Sequence, residues 1–198
     1  MSFYVFARGV VFLVSKLLYS VRYEGLEHIP DSGFILCSNH ISQFDPIFVA
    51  VKVKPQCFFM AKEELFKFKP LGLLLRALGA FPVARGKGDT SAIDHSVELV
   101  KNKKVVAIFP EGHRSKTGEL QKIKSGAVLV AAEAGCSILP CVIKKGKRRF
   151  LRRPVTVRYG PCISKEQLGI LNRSPSEIRA ANRLLTGTLG GLLEGTHV

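Results

Sequence analysis

The chain has no C-x-x-C pair matched to a second C-x-x-C or to an H-x-x-x-H, so the usual spacing of a zinc site is missing and no metal is expected. It has no G-x-S-x-G elbow to present a serine nucleophile. Internal repeats and low-complexity linkers are also missing. No run of ~20 uncharged apolar residues, the length a spanning helix needs, is present. The most apolar stretch, Ser2 to Val21, is interrupted by Arg8 and Lys16. A signal peptide, with its charge first and a small-residue cleavage site after the apolar run, does not fit that stretch either. Acidic residues are scarce, 15 against 30 Lys and Arg, which leaves a net charge of +15.

A surplus of that size attracts polyanions: nucleic acid, an anionic bilayer or phosphorylated small molecules. Mean hydropathy is +0.17, high for so basic a chain, and the combination favours a membrane surface over a duplex. A nucleic-acid surface would interleave aromatic with basic residues. Here Phe58, Phe59, Phe66 and Phe68 sit mainly in apolar runs, so nucleic acid is not the expected partner. The 198 residues suit one domain with a sizeable core. The five cysteines are an odd set and lie mostly in apolar runs, as in Ile35-Leu36-Cys37, which reads as reduced core thiols in a cytosolic setting.

Residues 1–21 read as an N-terminal membrane-associating helix, and 22–198 as the main domain. At 100° per residue Tyr4, Arg8, Ser15, Tyr19 and Arg22 fall within about 40° of one line. That stripe predicts a helix lying in the membrane interface; a spanning helix and a helix docked on the protein's own core are the alternatives. Beyond it, short apolar runs alternate with amphipathic stretches, the pattern of an α/β domain. Strands are expected at Phe34–Cys37, Cys57–Met60, Val105–Phe109, Ser137–Val142 and Val155–Tyr159. Helices are expected at Pro46–Val53, capped by Asp45, and at Leu65–Leu78 with a break near Pro70. Further helices are expected at Ser91–Asn102, Gly126–Ala134 and Glu177–Leu193. Lys144 to Arg153, holding Arg148, Arg149 and five other cations, reads as a basic loop.

The chemistry concentrates where a buried strand gives way to a helix, at Ser38-Asn39-His40-Ile41-Ser42-Gln43-Phe44-Asp45. Histidine is the default general base near neutral pH. A carboxylate five residues later, across a turn, can reach the second ring nitrogen, fix the tautomer and stabilise the imidazolium. With no paired serine, the substrate itself can supply the nucleophilic hydroxyl. Cys37 lies three residues before His40, but its place in an apolar strand argues against an acyl-enzyme. Gly79-Ala80-Phe81-Pro82-Val83-Ala84-Arg85-Gly86 and Phe109-Pro110-Glu111-Gly112-His113-Arg114-Ser115 each put an arginine in a glycine-containing turn after a strand. Arg85 and Arg114 suit a phosphate. Glu111 suits either an arginine partner or a glycerol hydroxyl. Lys124, just before a helix N-terminus, suits phosphate or solvent.

With the proline-broken strand Ile138-Leu139-Pro140-Cys141-Val142, these segments occur in the order of the His-x4-Asp glycerophospholipid acyltransferase superfamily, and the chain resembles that superfamily from about Tyr23 to Tyr159. Asn39-His40-x4-Asp45-Pro46 and Phe109-Pro110-Glu111-Gly112 look most like its 1-acylglycerol-3-phosphate acyltransferase branch. Two positions depart from the pattern: His113 stands where threonine is usual, and Cys141 where an apolar β-branched residue is.

The resemblance implies a single α/β domain with a mixed, mostly parallel central sheet flanked by helices. It implies His40 as general base and Asp45 as its orienting partner. Asn39, Arg85, Glu111, Gly112, Arg114 and Lys124 would bind the acceptor. No cofactor is implied, only acyl-CoA or acyl-carrier protein as co-substrate. The partners expected are lysophosphatidic acid, the acyl donor and an anionic membrane surface, with the protein peripheral or monotopic on the cytoplasmic face. Another lyso-lipid acceptor, or a non-catalytic lipid-binding relative, is the alternative reading. Leu65 to Leu78, between the motifs, is a candidate wall for the acyl chain.

Overall fold

Ile35–Ser38, a fully buried run, forms β2 at the middle of the sheet. The structure, a computed structural model, describes residues 3–83, 90–147 and 151–195. In chain order it runs α1 (Phe3–Leu18), β1 (Tyr19–Glu24), β2, α2 (Asp45–Ala50), β3 (Cys57–Lys62), a 3-10 turn (Glu63–Phe66), α3 (Lys69–Ala77) and β4 (Ala80–Val83). There follow α4 (Thr90–Lys101), β5 (Val105–Ile108), α5 (Gly126–Ala134), β6 (Ile138–Lys145), β7 (Arg153–Tyr159), α6 (Lys165–Leu168) and α7 (Pro175–Glu194). The strand order is β1-β7-β6-β2-β5-β3-β4, and among these neighbours only β6 and β7 are antiparallel. The expected mixed, mostly parallel sheet is therefore present.

Strand alternation sends side chains to two buried layers. Ile35 and Cys37 face a core shared with Val97, Val100, Ala127, Val128, Leu185 and Leu189, from α4, α5 and α7. Phe34 and Leu36 face the other core, with Phe48, Val49 and Val53 in and just after α2. Burying each leucine such as Leu185 or Leu189 contributes roughly 2 kcal/mol, so α7 is held by its apolar stripe. Ser174 caps that helix in a reciprocal box with Glu177.

After β2 the chain steps to β3 through α2. After β5 it steps the other way, to β6, through α5. The direction of winding thus reverses beside β2, and the crevice at the carboxyl ends of such strands is where open α/β sheets place their ligands. His40 lies just past that end.

Several elements differ from expectation. The first helix stops at Leu18, because Tyr19 to Glu24 alternates in burial and pairs in parallel with β7, from Tyr19 against Arg153 to Glu24 against Arg158. Lys144 and Lys145 end β6 and Arg153 begins β7, so the basic loop is shorter than its charge run; Arg148 and Arg149 lie outside the described residues. The expected break near Pro70 falls at Lys67 and Phe68, between the 3-10 turn and α3, and Pro70 sits in the first turn of α3, where its missing N–H costs nothing.

The polar stripe of α1 also points the other way from an interfacial helix that keeps its polar side in water. Tyr4, Ala7 and Ser15 are buried against the protein. Arg8 Nη1 donates to the carbonyls of Ala50 (3.2 Å) and Val53 (2.8 Å), near the C-terminal end of α2. The Cys57 N–H donates to the Tyr4 hydroxyl oxygen at 3.1 Å. Val5, Phe6, Val10, Leu13, Val14, Leu17 and Leu18 are left exposed. Among the described residues no helix is long and apolar enough to cross a membrane.

Candidate active site

His40 leaves β2 on a loop that returns to the sheet at α2, and Asp45 is the first residue of that helix. Asp45 does not cap α2 through its side chain. Its carboxylate turns back over the loop, where Oδ2 accepts from His40 Nδ1 at 2.8 Å, from the Ile41 N–H at 2.5 Å and from the Ser42 N–H at 2.6 Å. Three donors on one oxygen anchor this fully buried carboxylate and fix the loop's shape. Oδ1 is buried and has no hydrogen-bond partner. With Nδ1 engaged, Nε2 is the imidazole nitrogen left to exchange a proton. The ring stacks on Phe109 with centroids 4.3 Å apart, and its side chain remains 17% exposed. The imidazole is thus clamped on one face and reachable from solvent.

Glu111 is 1% exposed, so it does not present an open carboxylate to an acceptor. Its Oε1 accepts from the main-chain N–H of His40 at 2.8 Å, and Oε2 from that of Gln121 at 3.1 Å. Expected from the resemblance to bind the acceptor, Glu111 is seen in the structure to clamp the histidine's own backbone. Beside it the Ser115 N–H donates to the His40 carbonyl at 2.7 Å. The loop after β5 therefore holds both main-chain groups of His40.

Asn39, also expected to bind the acceptor, is likewise engaged with backbone. Its amide is buried, with Nδ2 donating to the Ile143 carbonyl (3.0 Å) and Oδ1 accepting the Ile143 N–H (2.7 Å). It continues the β2–β6 pairing beyond the last strand residue and has no polar atom turned to a ligand.

The loop's cations stay on the surface. Gly112 has φ +75°, and a Cβ there would lie 3.1 Å from Lys124 Nζ. Glycine thus serves both the left-handed turn and the close pass of the lysine. The Lys124 N–H donates to the Pro110 carbonyl at 2.8 Å. Arg114 is exposed next to Ser115, one residue from the bond that holds His40. Gly112 and Arg114 thus lie on the loop that holds the His40 backbone, and Lys124 packs against it at Gly112. Arg85 lies outside the described residues. His28, by contrast, sits across the sheet, its Nδ1 3.1 Å from the Tyr159 carbonyl oxygen.

From sequence Lys145 falls in the basic loop Lys144 to Arg153. It projects from the end of β6, and Nζ donates to the Ile41 carbonyl at 3.1 Å, inside the His40–Asp45 loop. Burial pushes its ammonium pKa down, the charge of Asp45 pulls it back up, and Arg153 lowers it. Nothing in the spacing marks it, since residues 41 and 145 are brought together only by the β2–β6 pairing. Cys37 is fully buried, and its thiol is pushed well above the ordinary range by burial, with the charge of Glu111 adding to the effect. It stays protonated and does not act as a nucleophile.

A buried carboxylate holding Nδ1 of a partly exposed histidine, at the carboxyl end of a mostly parallel sheet, is an arrangement able to move a proton. The comparisons with known proteins give the family. Residues 20–144 match the family model described as Acyltransferase, and the chain belongs to that family. It is 32% identical over 195 residues to the 1-acyl-sn-glycerol-3-phosphate acyltransferase of Streptococcus pneumoniae, covering 93% of this chain and 71% of that one. It is 32% identical over 160 residues to the Bacillus subtilis protein of the same name, covering 75% and 79%. The crystal structure of the 1-acyl-sn-glycerophosphate acyltransferase of Thermotoga maritima superposes with a TM-score of 0.73 at 24% identity, over 97% of this chain and 78% of that one, and so shares the fold.

Proposed function

We propose that this enzyme transfers a fatty acyl group from acyl-CoA or acyl-carrier protein to the sn-2 hydroxyl of 1-acylglycerol-3-phosphate, forming phosphatidic acid. The observation that carries the reading is the 2.8 Å contact between His40 Nδ1 and the threefold-held Asp45 Oδ2, which leaves Nε2 as the base. Nε2 takes the hydroxyl proton as the oxygen attacks the thioester carbonyl. Asp45 stabilises the imidazolium so formed. The tetrahedral adduct collapses, the carbon–sulfur bond breaks, and the leaving thiolate takes the proton back from Nε2. Phosphatidic acid and a free thiol result, with no net proton change.

Arg114 and Lys124, with Arg85, bind the acceptor phosphate. Charged donors suit a phosphate delivered from a lipid layer, and positioning of hydroxyl against thioester supplies much of the rate. The outward apolar face of α1 supports a peripheral or monotopic seat on the cytoplasmic leaflet.

The test is transfer of a labelled acyl group from each donor to 1-oleoyl-glycerol-3-phosphate in vesicles, comparing wild type with His40→Ala. Transfer that disappears in a folded variant supports the base and names the donor. Equal activity in the two proteins sinks the mechanism. If neither protein is active, the assay moves to other lyso-lipid acceptors.

A further inference from the structure

The connection between β3 and β4 leaves apolar surface uncovered that the site does not use. Along the 3-10 turn, α3 and the link between them, Leu65, Phe68, Leu71, Leu73 and Leu74 are exposed, Phe68 at 67% and Leu73 at 72%. These side chains therefore line no enclosed channel, and the expectation that this segment walls the acyl chain does not suit them. A helix apolar on most of its circumference is normally buried. This one is fixed in its outward pose: Gly72 is buried so close to the turn that a Cβ would meet the Phe66 carbonyl oxygen at 2.9 Å, and Arg76 covers the Phe66 ring at 5.1 Å.

Lys62, Lys67, Lys69 and Arg76 are all exposed around these residues. Glu63 and Glu64 are the acids of the segment, and Glu64 pairs with Lys62 at 2.8 Å. The steps β2 to β3 and β3 to β4 move the same way across the sheet. Right-handed crossovers then put α2 and α3 on one face. The inverted helix α1 packs against α2 through Arg8, so α1 and α3 lie on the same face of the sheet, each showing apolar side chains outward.

We propose that the 3-10 turn and α3 form a second membrane contact, seating their leucines and Phe68 in an anionic phospholipid leaflet while the flanking lysines and Arg76 meet its phosphates. Apolar side chains rimmed by cations are the complement of such an interface. A second copy of the chain is a poor fit, since two-fold pairing would set these cations against themselves. The inference rests on the reading of the acceptor as a bilayer lipid, but its test reads binding rather than turnover.

Full-length protein is sedimented with phosphatidylcholine vesicles, with and without phosphatidylglycerol. Wild type is compared with Leu73→Glu/Leu74→Glu and, for α1, with Leu13→Glu. The α3 variant is expected to lose at least about tenfold in partition to anionic vesicles, with an unchanged melting temperature because both side chains are exposed. A conservative Lys67→Gln/Lys69→Gln variant is expected to lose binding to anionic vesicles alone. Wild-type partition by the α3 variant overturns the proposal. So does unchanged partition with an altered acyl-chain preference, which would place these leucines on the substrate, or a change of oligomeric state as the sole effect. Vesicle binding that depends on α3 in a protein without transfer activity would keep the surface and remove the proposed reaction.

Discussion

Replacing Glu111 separates a clamp from a ligand. Its carboxylate accepts from the N–H groups of His40 (2.8 Å) and Gln121 (3.1 Å), and the residue is 1% exposed. In Glu111→Gln one oxygen is kept and the other becomes an NH2 facing an N–H, so one buried donor loses its acceptor. That costs about 1–3 kcal/mol. Domains of this size lose roughly 2–4 °C per kcal/mol, so a cost of about 2 kcal/mol lowers Tm by about 4–8 °C. The donor at stake on one side is the histidine's own backbone. A shift of the imidazole by about 1 Å is enough for a rate loss on the order of 100-fold. The expected result is a lower kcat with an almost unchanged KM for the acceptor, together with the lower Tm. Thermal melts and acyl-transfer kinetics on the same preparation decide it. Unchanged Tm with a raised acceptor KM would refute the reasoning and return Glu111 to the substrate.

Three further outcomes follow from the same geometry. Asn39→Leu orphans the N–H and carbonyl of Ile143 and should cost about 2–4 kcal/mol, seen as a fall in Tm, while acceptor KM in the surviving folded protein stays the same. Lys145→Met removes the donor to the Ile41 carbonyl and should slow kcat by about fivefold, equivalent to about 1 kcal/mol, with Lys145→Arg restoring part of the rate; wild-type kcat in the methionine variant refutes the contact's importance. Alkaline stability should fall early. Burial pushes the Cys57 thiol from 9.0 up to about 12, and the Tyr4 phenol from 10.0 to about 12. The folded chain then holds protons that the unfolded chain releases. Stability is fully present below about pH 9 and is lost between about pH 9 and 12, on the order of 1 kcal/mol per pH unit for each group. A melting temperature that stays flat from pH 8 to 10.5 would contradict it.

Sequence reached the strands and helices whose residues are apolar at a clear period: β2, β5, β6, α4, α5 and α7 all lie within a few residues of their expected places. It missed β1, because Tyr19–Glu24 becomes a strand only by pairing with β7, more than 130 residues away, and an apolar helix runs straight into it. It also reached His40 and Asp45, since a five-residue separation across one turn is a local matter. Their contact is made by the loop that joins them.

What the sequence determined by itself is the inventory: which side chains share a face, which segments are buried, which short loops carry ionisable groups. Only tertiary structure decided what those groups meet. Glu111 reaches His40 across 71 positions, and Asn39 and Lys145 each bridge 104. The stripe on α1 was visible as a stripe, but periodicity fixes the angle between side chains and leaves free which side turns inward. That choice fell to the carbonyls of Ala50 and Val53 at the end of α2, which take the Arg8 guanidinium and leave the valines and leucines outside.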